Sequence, residues 1–357
     1  MSRALDGLLA VWPDSLAGFR DRARRVADWD ALVAEAGREG VTGVLDQALA
    51  EAAIPLPEAA RAALARARAF EELWLDTLER ALDGTLGALE GAGIRAVALK
   101  GPVLAERLYP AARMRFSSDL DLLVRPSDLD RAAAVLSALG YAEETGPSAR
   151  YHRRHHHHIH LVGPRPPMIE LHFRAYAGFG VVVAAEDLMA AALPYRTARG
   201  GQTWILTPED ELLYLAIHAA GHCFERLLWL YDLKLFSARH PRLDWTLVAS
   251  RARRLGVAAA ASFAFEAVRR RLDVDVPLTA DLQPPRGLRR LIGGGLVAWL
   301  ATHPDGARAT LARVLCMASL CDDRAATARF LHHHLTRMVR RRAQHCFPGL
   351  IPLEWSA

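Results

Sequence analysis

Apolar and polar residues change their spacing along this chain, and the changes divide it. Over residues 1–92 the apolar positions recur at helical intervals: Trp29, Leu32, Val33 and Ala36 form one stripe, and Leu64, Phe70, Leu73, Trp74, Leu78 and Leu82 another. Asp28 or Asp30 suits the start of the first helix and Gly37 or Gly40 its end, because a short acceptor side chain satisfies free N–H groups and glycine tolerates a left-handed exit. Pro55 and Pro57 break the pattern, and Pro57-Glu58 fits the first turn of the next helix. From Ile94 the period shortens. Ile94 to Leu99 is a brief apolar run closed by Lys100-Gly101-Pro102, which reads as strand, tight turn and helix, with Leu104, Leu108 and Tyr109 on the helix. Residues 115–124 alternate, so Asp119 and Asp121 share one face and Leu120, Leu122 and Val124 the other. Pro126-Ser127-Asp128 then starts a helix that runs to Leu139 and ends at Gly140, with Ser127 or Asp128 as its cap.

Residues 150–162 form a polar but extendable segment, and a turn at 163–167 joins it to a strand over 168–174, which predicts a hairpin. In the second strand Ile169, Leu171 and Phe173 share one face while Glu170, His172 and Arg174 share the other. A strand pair follows over 195–206 around Gly200-Gly201. Thr207-Pro208-Glu209-Asp210 opens a helix, and the pattern stays helical to the C-terminus. Leu212, Leu213, Leu215, Ala216, Ala219 and Ala220 pack the first of these helices, which carries His218 and His222 four residues apart; the next, over 227–236, carries Asp232 and Lys234. The expected fold is α+β and mostly helical overall: an N-terminal helical region at 1–92, a small mixed-sheet core at 93–206, and a C-terminal helical domain at 207–357.

Composition narrows the function classes. A chain of 357 residues suggests two or three structural units, and 52% hydrophobic against 24% charged residues excludes wholesale disorder. The net charge of +5 is compatible with a nucleotide or other polyanionic substrate. The basic patches at Arg22-Ala23-Arg24-Arg25, Arg269-Arg270-Arg271 and Arg340-Arg341-Arg342 read as solvated faces, and they lack the interleaved aromatics of a single-strand track, which argues against nucleic acid as partner. Cys223, Cys316, Cys321 and Cys346 show neither a C-x-x-C pair nor a zinc spacing and read as reduced thiols of a cytoplasmic protein. The longest apolar runs, 257–265 and 291–301, fall short of the ~20 residues of a membrane span, and Asp6, Asp14 and the early arginines interrupt any signal pattern, so no membrane association is expected.

The candidate chemistry centres on the aspartate strand. Two carboxylates on neighbouring same-face positions of a buried strand repel each other, and burial disfavours both charges. A divalent cation relieves the conflict, and Mg²⁺ prefers such oxygen ligands. A bare D-x-D is also compatible with a solvent-facing strand end. Glu170 repeats the layout of apolar behind and ionisable in front, which is where a third carboxylate belongs, and His172 shares its face. Lys100 at the strand end offers a point charge for phosphate. In an extended segment His156, His158 and His160 share a face that suits adventitious Zn²⁺ or Ni²⁺, or an acceptor or phosphate contact. His218 and His222 lack the glutamate of H-E-x-x-H, and one of them is expected to line a cleft from the helical side. Asp232 either pairs with an arginine or touches a ligand, and His332-His333-His334 reads as surface.

Leu99-Lys100-Gly101, then Arg115-x-x-Ser118-Asp119-Leu120-Asp121-Leu122-Leu123-Val124, Glu170-Leu171-His172, Leu215-x-x-His218 and Trp229-Leu230-x-Asp232-Leu233 together resemble the uncharacterised nucleotidyltransferase family of the DNA polymerase β superfamily, over roughly residues 60–240. The resemblance implies a nucleotidyltransferase core in the mixed sheet and assigns Asp119, Asp121 and Glu170 as catalytic and metal-binding residues. Lys100, Gly101, Arg115, Ser118 and His172 would bind nucleotide, and the cofactors would be two Mg²⁺ ions, replaceable by Mn²⁺, with an NTP, ATP foremost, as substrate. The expected reaction transfers NMP to a hydroxyl of a small molecule, peptide or protein. A catalytically idle nucleotide-sensing or RNA-binding module, and an antitoxin-like protein-AMPylating enzyme, remain as alternatives. Two departures stand out: the turn is Gly101-Pro102 rather than Gly-Ser or Gly-Gly, so a hydroxyl is missing there, and the third acid is Glu170 rather than aspartate.

Overall fold

The computed structural model describes residues 4–346 apart from 146, 165, 275, 277–281, 283–286 and 301–305, and side chains up to residue 336 except those at 147–149, 151 and 288. The Arg340-Arg341-Arg342 patch and Cys346 lie outside the described side chains. Five helices open the chain: α1 (Ala4–Val11), α2 (Leu16–Ala23), α3 (Trp29–Glu39), α4 (Thr42–Ala52) and α5 (Glu58–Gly91). Asp28 caps α3 by accepting the Ala31 N–H at 2.9 Å, and Gly40 takes the left-handed exit. With 34 residues, α5 is about 51 Å long.

The strands then alternate with short helices. In order come β1 (Val97–Ala98), α6 (Pro102–Leu108), β2 (Asp119–Leu123), α7 (Leu129–Ser137), β3 (Ala142–Glu143), α8 (Pro147–His155), β4 (His158–Val162), β5 (Met168–His172), β6 (Arg174–Gly178), β7 (Val181–Ala184), α9 (Ala185–Met189), β8 (Leu193–Arg196) and β9 (Gln202–Ile205). Seven of the strands form one sheet in the order β3-β4-β5-β2-β1-β9-β8, and β6 and β7 form a separate pair. The β2–β5 and β1–β9 pairs are parallel and the other pairs antiparallel, so the sheet is mixed. The remaining helices are α10 (Pro208–Gly221), α11 (Leu227–Arg239), α12 (Trp245–Leu255), α13 (Ala258–Leu272), α14 (Leu288–Leu300), α15 (Ala307–Ser319) and α16 (Arg324–Cys346). The fold is α+β and mostly helical.

Alternation along the central strands decides what each face of the sheet does. Leu120, Leu122, Ile159, Leu161, Ile169 and Leu171 pack under Leu78, Leu82 and Leu86 of α5 and Leu129, Ala132 and Leu136 of α7. The opposite face carries the acids and histidines. A second, larger core joins the N-terminal helices to α10, α11 and α13.

Three local readings change. The helix after β2 begins as a 3₁₀ turn at Pro126–Asp128, and its regular part is Leu129–Ser137, without a side-chain cap. Within 150–162 only β4 is extended; the preceding residues coil into α8, where Arg153 binds Glu143 at 2.7 and 2.6 Å and Asp130 at 2.7 Å. His156 therefore precedes the strand rather than sharing its register. The β6–β7 hairpin was not anticipated. Its two-residue turn, Phe179-Gly180, has positive φ at both residues, the geometry that matches strand twist.

Candidate active site

The parallel pairing of β2 and β5 sets Asp121 directly opposite Glu170, with Asp119 two residues earlier on the same face. Lys100, leaving β1, answers this charge: its Nζ lies 2.5 Å from Asp121 Oδ2 and 3.5 Å from Asp119 Oδ1. Burial works against the Lys100 ammonium, yet Asp121, then Asp119 and Glu170, outweigh it and raise its pKa. His172 serves the other side, with Nε2 at 3.3 Å from Asp121 Oδ1 and 3.6 Å from Glu170 Oε2. Burial alone would lower its pKa, but these two carboxylates raise it. For Glu170, burial pushes upward and the His172 imidazole and Lys100 charge more than offset it, holding the carboxyl at about 2. Ser118 is exposed, with its hydroxyl 3.2 Å from Asp119 Oδ2.

Gly101 turns the chain between Lys100 and α6 at φ 71°, ψ −143°, a conformation open to glycine alone. The loop before β2 is pinned from two sides. Trp74 of α5 donates to the Ser117 carbonyl at 2.9 Å. Arg115 is buried, and its guanidinium is committed inward: Nε and Nη2 meet Asp232 at 2.8 and 2.7 Å, and Nη1 meets the Ser117 hydroxyl at 2.7 Å. Tyr109 donates to the same Asp232 carboxylate at 2.7 Å. Arg115, expected beside phosphate, thus holds the start of β2 to α11, and Asp232 is its partner.

A cavity of about 730 Å³ opens from the acids toward β4, β6–β7, α10 and α16. Asp121, Glu170 and His172 stand at its inner end, whereas the Lys100-Gly101 turn and Ser118 do not border it. Imidazoles dominate its wall. His155 to His158 come from the end of α8 and the start of β4, His218 from α10 and His222 from the residue that caps it, and His333 and His334 from α16. The last two were expected on the surface; only His332 of that run is exposed. Burial, then the neighbouring His172 and His156 rings, push His158 far below the usual imidazole range, and burial lowers His157, His218 and His222 as well. These rings are neutral at neutral pH. Arg154, Arg174 and Arg329 also line the wall. Among the described residues none of the three meets a carboxylate; Arg174 and Arg329 donate to backbone carbonyls.

Residues 25–273 match the family described as uncharacterised nucleotidyltransferase, well over half of the chain. The chain belongs to that family. Among solved structures, the antibiotic-resistance factor ANT(2'')-Ia is similar over 55% of this chain and 98% of that one, with 12% identity and a TM-score of 0.34. No curated protein matches the sequence. Among the described residues, no helix of this nucleotidyltransferase is long and apolar enough to cross a membrane.

The acid face fits a divalent ion by its donor set. Asp119 and Asp121 of β2 and Glu170 of β5 share one face of adjacent strands, and Lys100 and the His172 ring stand between their oxygens where an ion would offer positive charge. Among the described residues the three acids are not a set whose ligand atoms all lie within 4.8 Å of one another. Sequence reasoning missed Tyr109 and Ser117 as braces of the site and Tyr176 as cavity lining. Nothing in a linear pattern relates Tyr109 to Asp232, 123 residues away. The histidine run was visible, but its convergence with α10 and α16 was not.

Proposed function

We propose that this nucleotidyltransferase transfers NMP from an NTP, ATP foremost, to a hydroxyl of an acceptor held in the imidazole-lined cavity, using two Mg²⁺ ions, or Mn²⁺ in their place, on Asp119, Asp121 and Glu170. The observation that carries the reading is the register of Asp121 against Glu170 at the inner end of a cavity that excludes the glycine turn. That arrangement leaves one side of the acids for the triphosphate and the other for the acceptor. Ions bound there would lower the acceptor's pKa and stabilise the leaving oxygens. Lys100, drawn to the acids, would supply positive charge to a triphosphate, and Ser118 is exposed beside Asp119. Glu170, kept ionised by the His172 and Lys100 beside it, serves in this reading as an oxygen ligand for the ion next to the acceptor. Arg115 acts through Asp232 and Ser117 as a positioning residue.

The cavity also constrains the acceptor. Its volume suits a small molecule or the end of a peptide. Three arginines that meet no carboxylate among the described residues favour an acceptor carrying a carboxylate or phosphate beside its hydroxyl.

Because Lys100 and His172 already balance the acids, a metal-independent nucleotide sensor is the second reading. Thermal shift with each NTP, with and without Mg²⁺, separates the two: the transferase requires metal for stabilisation and the sensor does not. Mg²⁺-dependent pyrophosphate release should fall at least ~100-fold in Asp121→Asn, the upper range for groups that merely support a metal. Unchanged release would refute the assignment.

A further inference from the structure

His158 and His172 face each other across the antiparallel β4–β5 pair, and Glu170 lies two residues before His172 on the same face. Nδ1 of His158 is 3.7 Å, and Nε2 of His172 3.6 Å, from the same oxygen, Oε2 of Glu170. Ligand atoms from all three side chains lie within 4.8 Å of one another. A tetrahedral ion with bonds of about 2.0–2.1 Å sets its ligands about 3.4 Å apart. Two edges of such a tetrahedron are therefore within a few tenths of an ångström of closing. His158 is 7% exposed and His172 2%, and Nδ1 of His158 is buried with no hydrogen-bond partner. A buried ring nitrogen beside a carboxylate and hydrogen-bonded to nothing is what an ion would satisfy.

We propose that His158, Glu170 and His172 form a Zn²⁺ site at the acceptor side of the acids, and that zinc bound there inhibits nucleotidyl transfer. Two imidazoles and one carboxylate suit Zn²⁺, with a fourth position open to the cavity, whereas Mg²⁺ prefers an octahedron of oxygens. The inhibition half rests on the proposed function, since it requires Glu170 to serve the magnesium set. Zinc draws Oε2 of Glu170 into a different geometry, takes Nε2 of His172 away from Asp121, and places a dication beside the acids. Among the described residues two rival clusters stand nearby: His156, His157 and His158, which shares His158 but offers no carboxylate, and Glu144, His152 and His160. The carboxylate of the second is 47% exposed, which favours the buried set with Glu170.

The test uses the full chain stripped with EDTA and titrated with Co²⁺ or Zn²⁺. The expected result is a tight equivalent of Co²⁺ with the visible absorption of a tetrahedral site, displaced by equimolar Zn²⁺ and resistant to a large excess of Mg²⁺. His158→Gln should weaken Zn²⁺ binding at least ~10-fold and raise by a similar factor the zinc needed to halve pyrophosphate release. His152→Gln and His156→Gln should change neither. Displacement of Co²⁺ by Mg²⁺, wild-type affinity in His158→Gln, or a comparable loss in His152→Gln or His156→Gln would each overturn the site. If His158→Gln does not fold, the Co²⁺–Mg²⁺ competition on the unaltered chain still decides. A protein that binds zinc this way but transfers no nucleotide with any metal refutes the proposed function and the inhibition, and leaves the site standing. One that transfers nucleotide and ignores zinc refutes the inference alone.

Discussion

Asp232 receives Tyr109 and a two-pronged contact from Arg115 in a core where the carboxylate is 1% exposed and the guanidinium 3%. Removing one partner of such a pair strands the other charge, at a typical cost of 3–5 kcal/mol, whereas apolar replacement of both is far milder. Asp232→Asn is therefore expected to lower unfolding free energy by about 3–5 kcal/mol, and Arg115→Met in the same chain to recover part of it, measured by urea unfolding. Sequence reading left Asp232 undecided between arginine and ligand and placed Arg115 at phosphate, because the contact spans 117 residues and no local pattern encodes it. The acid face gives a second prediction. Glu170, depressed to about 2, contributes stability that is present above its unfolded value near 4.3 and lost as pH falls toward 2. His172 is raised, so its contribution is complete below the unfolded value near 6.5 and is lost as pH climbs through its folded value. His157, His158, His218 and His222 are lowered and act in the opposite sense, their stability present above the unfolded value near 6.5 and lost as pH falls below it. In EDTA the urea midpoint should therefore drop steadily as pH falls below about 6.5, and His172→Gln should flatten the decline on the alkaline side.

At the scale of elements, legibility followed period. A strand with apolar residues at every second position must bury that face, so placing Leu120 and Leu122 inward, and Asp119 and Asp121 outward, required no knowledge of the partner strand. The same logic oriented Glu170. What the pattern could not supply was the parallel register that sets Asp121 against Glu170 or the separate β6–β7 pair, whose Phe179 occupies a left-handed conformation more often given to glycine. α8 was hidden for a related reason: its sequence has little helical preference, and ion pairs from Arg153 to β3 and α7 fix it. The glycine turn was legible and is testable. A Cβ at Gly101 would meet the Asp119 carbonyl at 3.7 Å and the Ser117 hydroxyl at 3.8 Å, both ordinary contacts, so Gly101→Ala fails on backbone strain and not on collision. The expected loss is ~1–3 kcal/mol of stability, read as a lower melting temperature, with a weaker thermal shift by Mg²⁺–NTP.

Over the whole molecule, the cavity exists because parts distant in sequence close around one face of the sheet. The histidines of α8 and β4 meet those of α10 and α16, with His155 and His333 ring centroids 5.4 Å apart. Two histidine runs that looked unrelated along the chain thus line one space, and only the path of the C-terminal helices makes it so. The contact that seats α16 is specific. Gly180 presents its carbonyl to Arg329 Nε at 2.8 Å, and a Cβ on Gly180 would fall 2.0 Å from the Ala326 carbonyl oxygen, well inside any tolerated approach. One side must therefore move in Gly180→Ala. The hairpin is the firmer side, because Phe179 is fully buried and stacked on Tyr176 at 5.2 Å, whereas α16 presents an exposed Arg329 and Leu335 to solvent. The helix should yield. Amides of α16 are expected to exchange hydrogen faster in Gly180→Ala while those of β2 and β5 keep their protection, and Mg²⁺–NTP should stabilise the variant as it does the parent. Unaltered exchange in α16 would mean that the cavity wall is held by contacts other than this one, and loss of the nucleotide response would mean that the two sides of the acids are not separate.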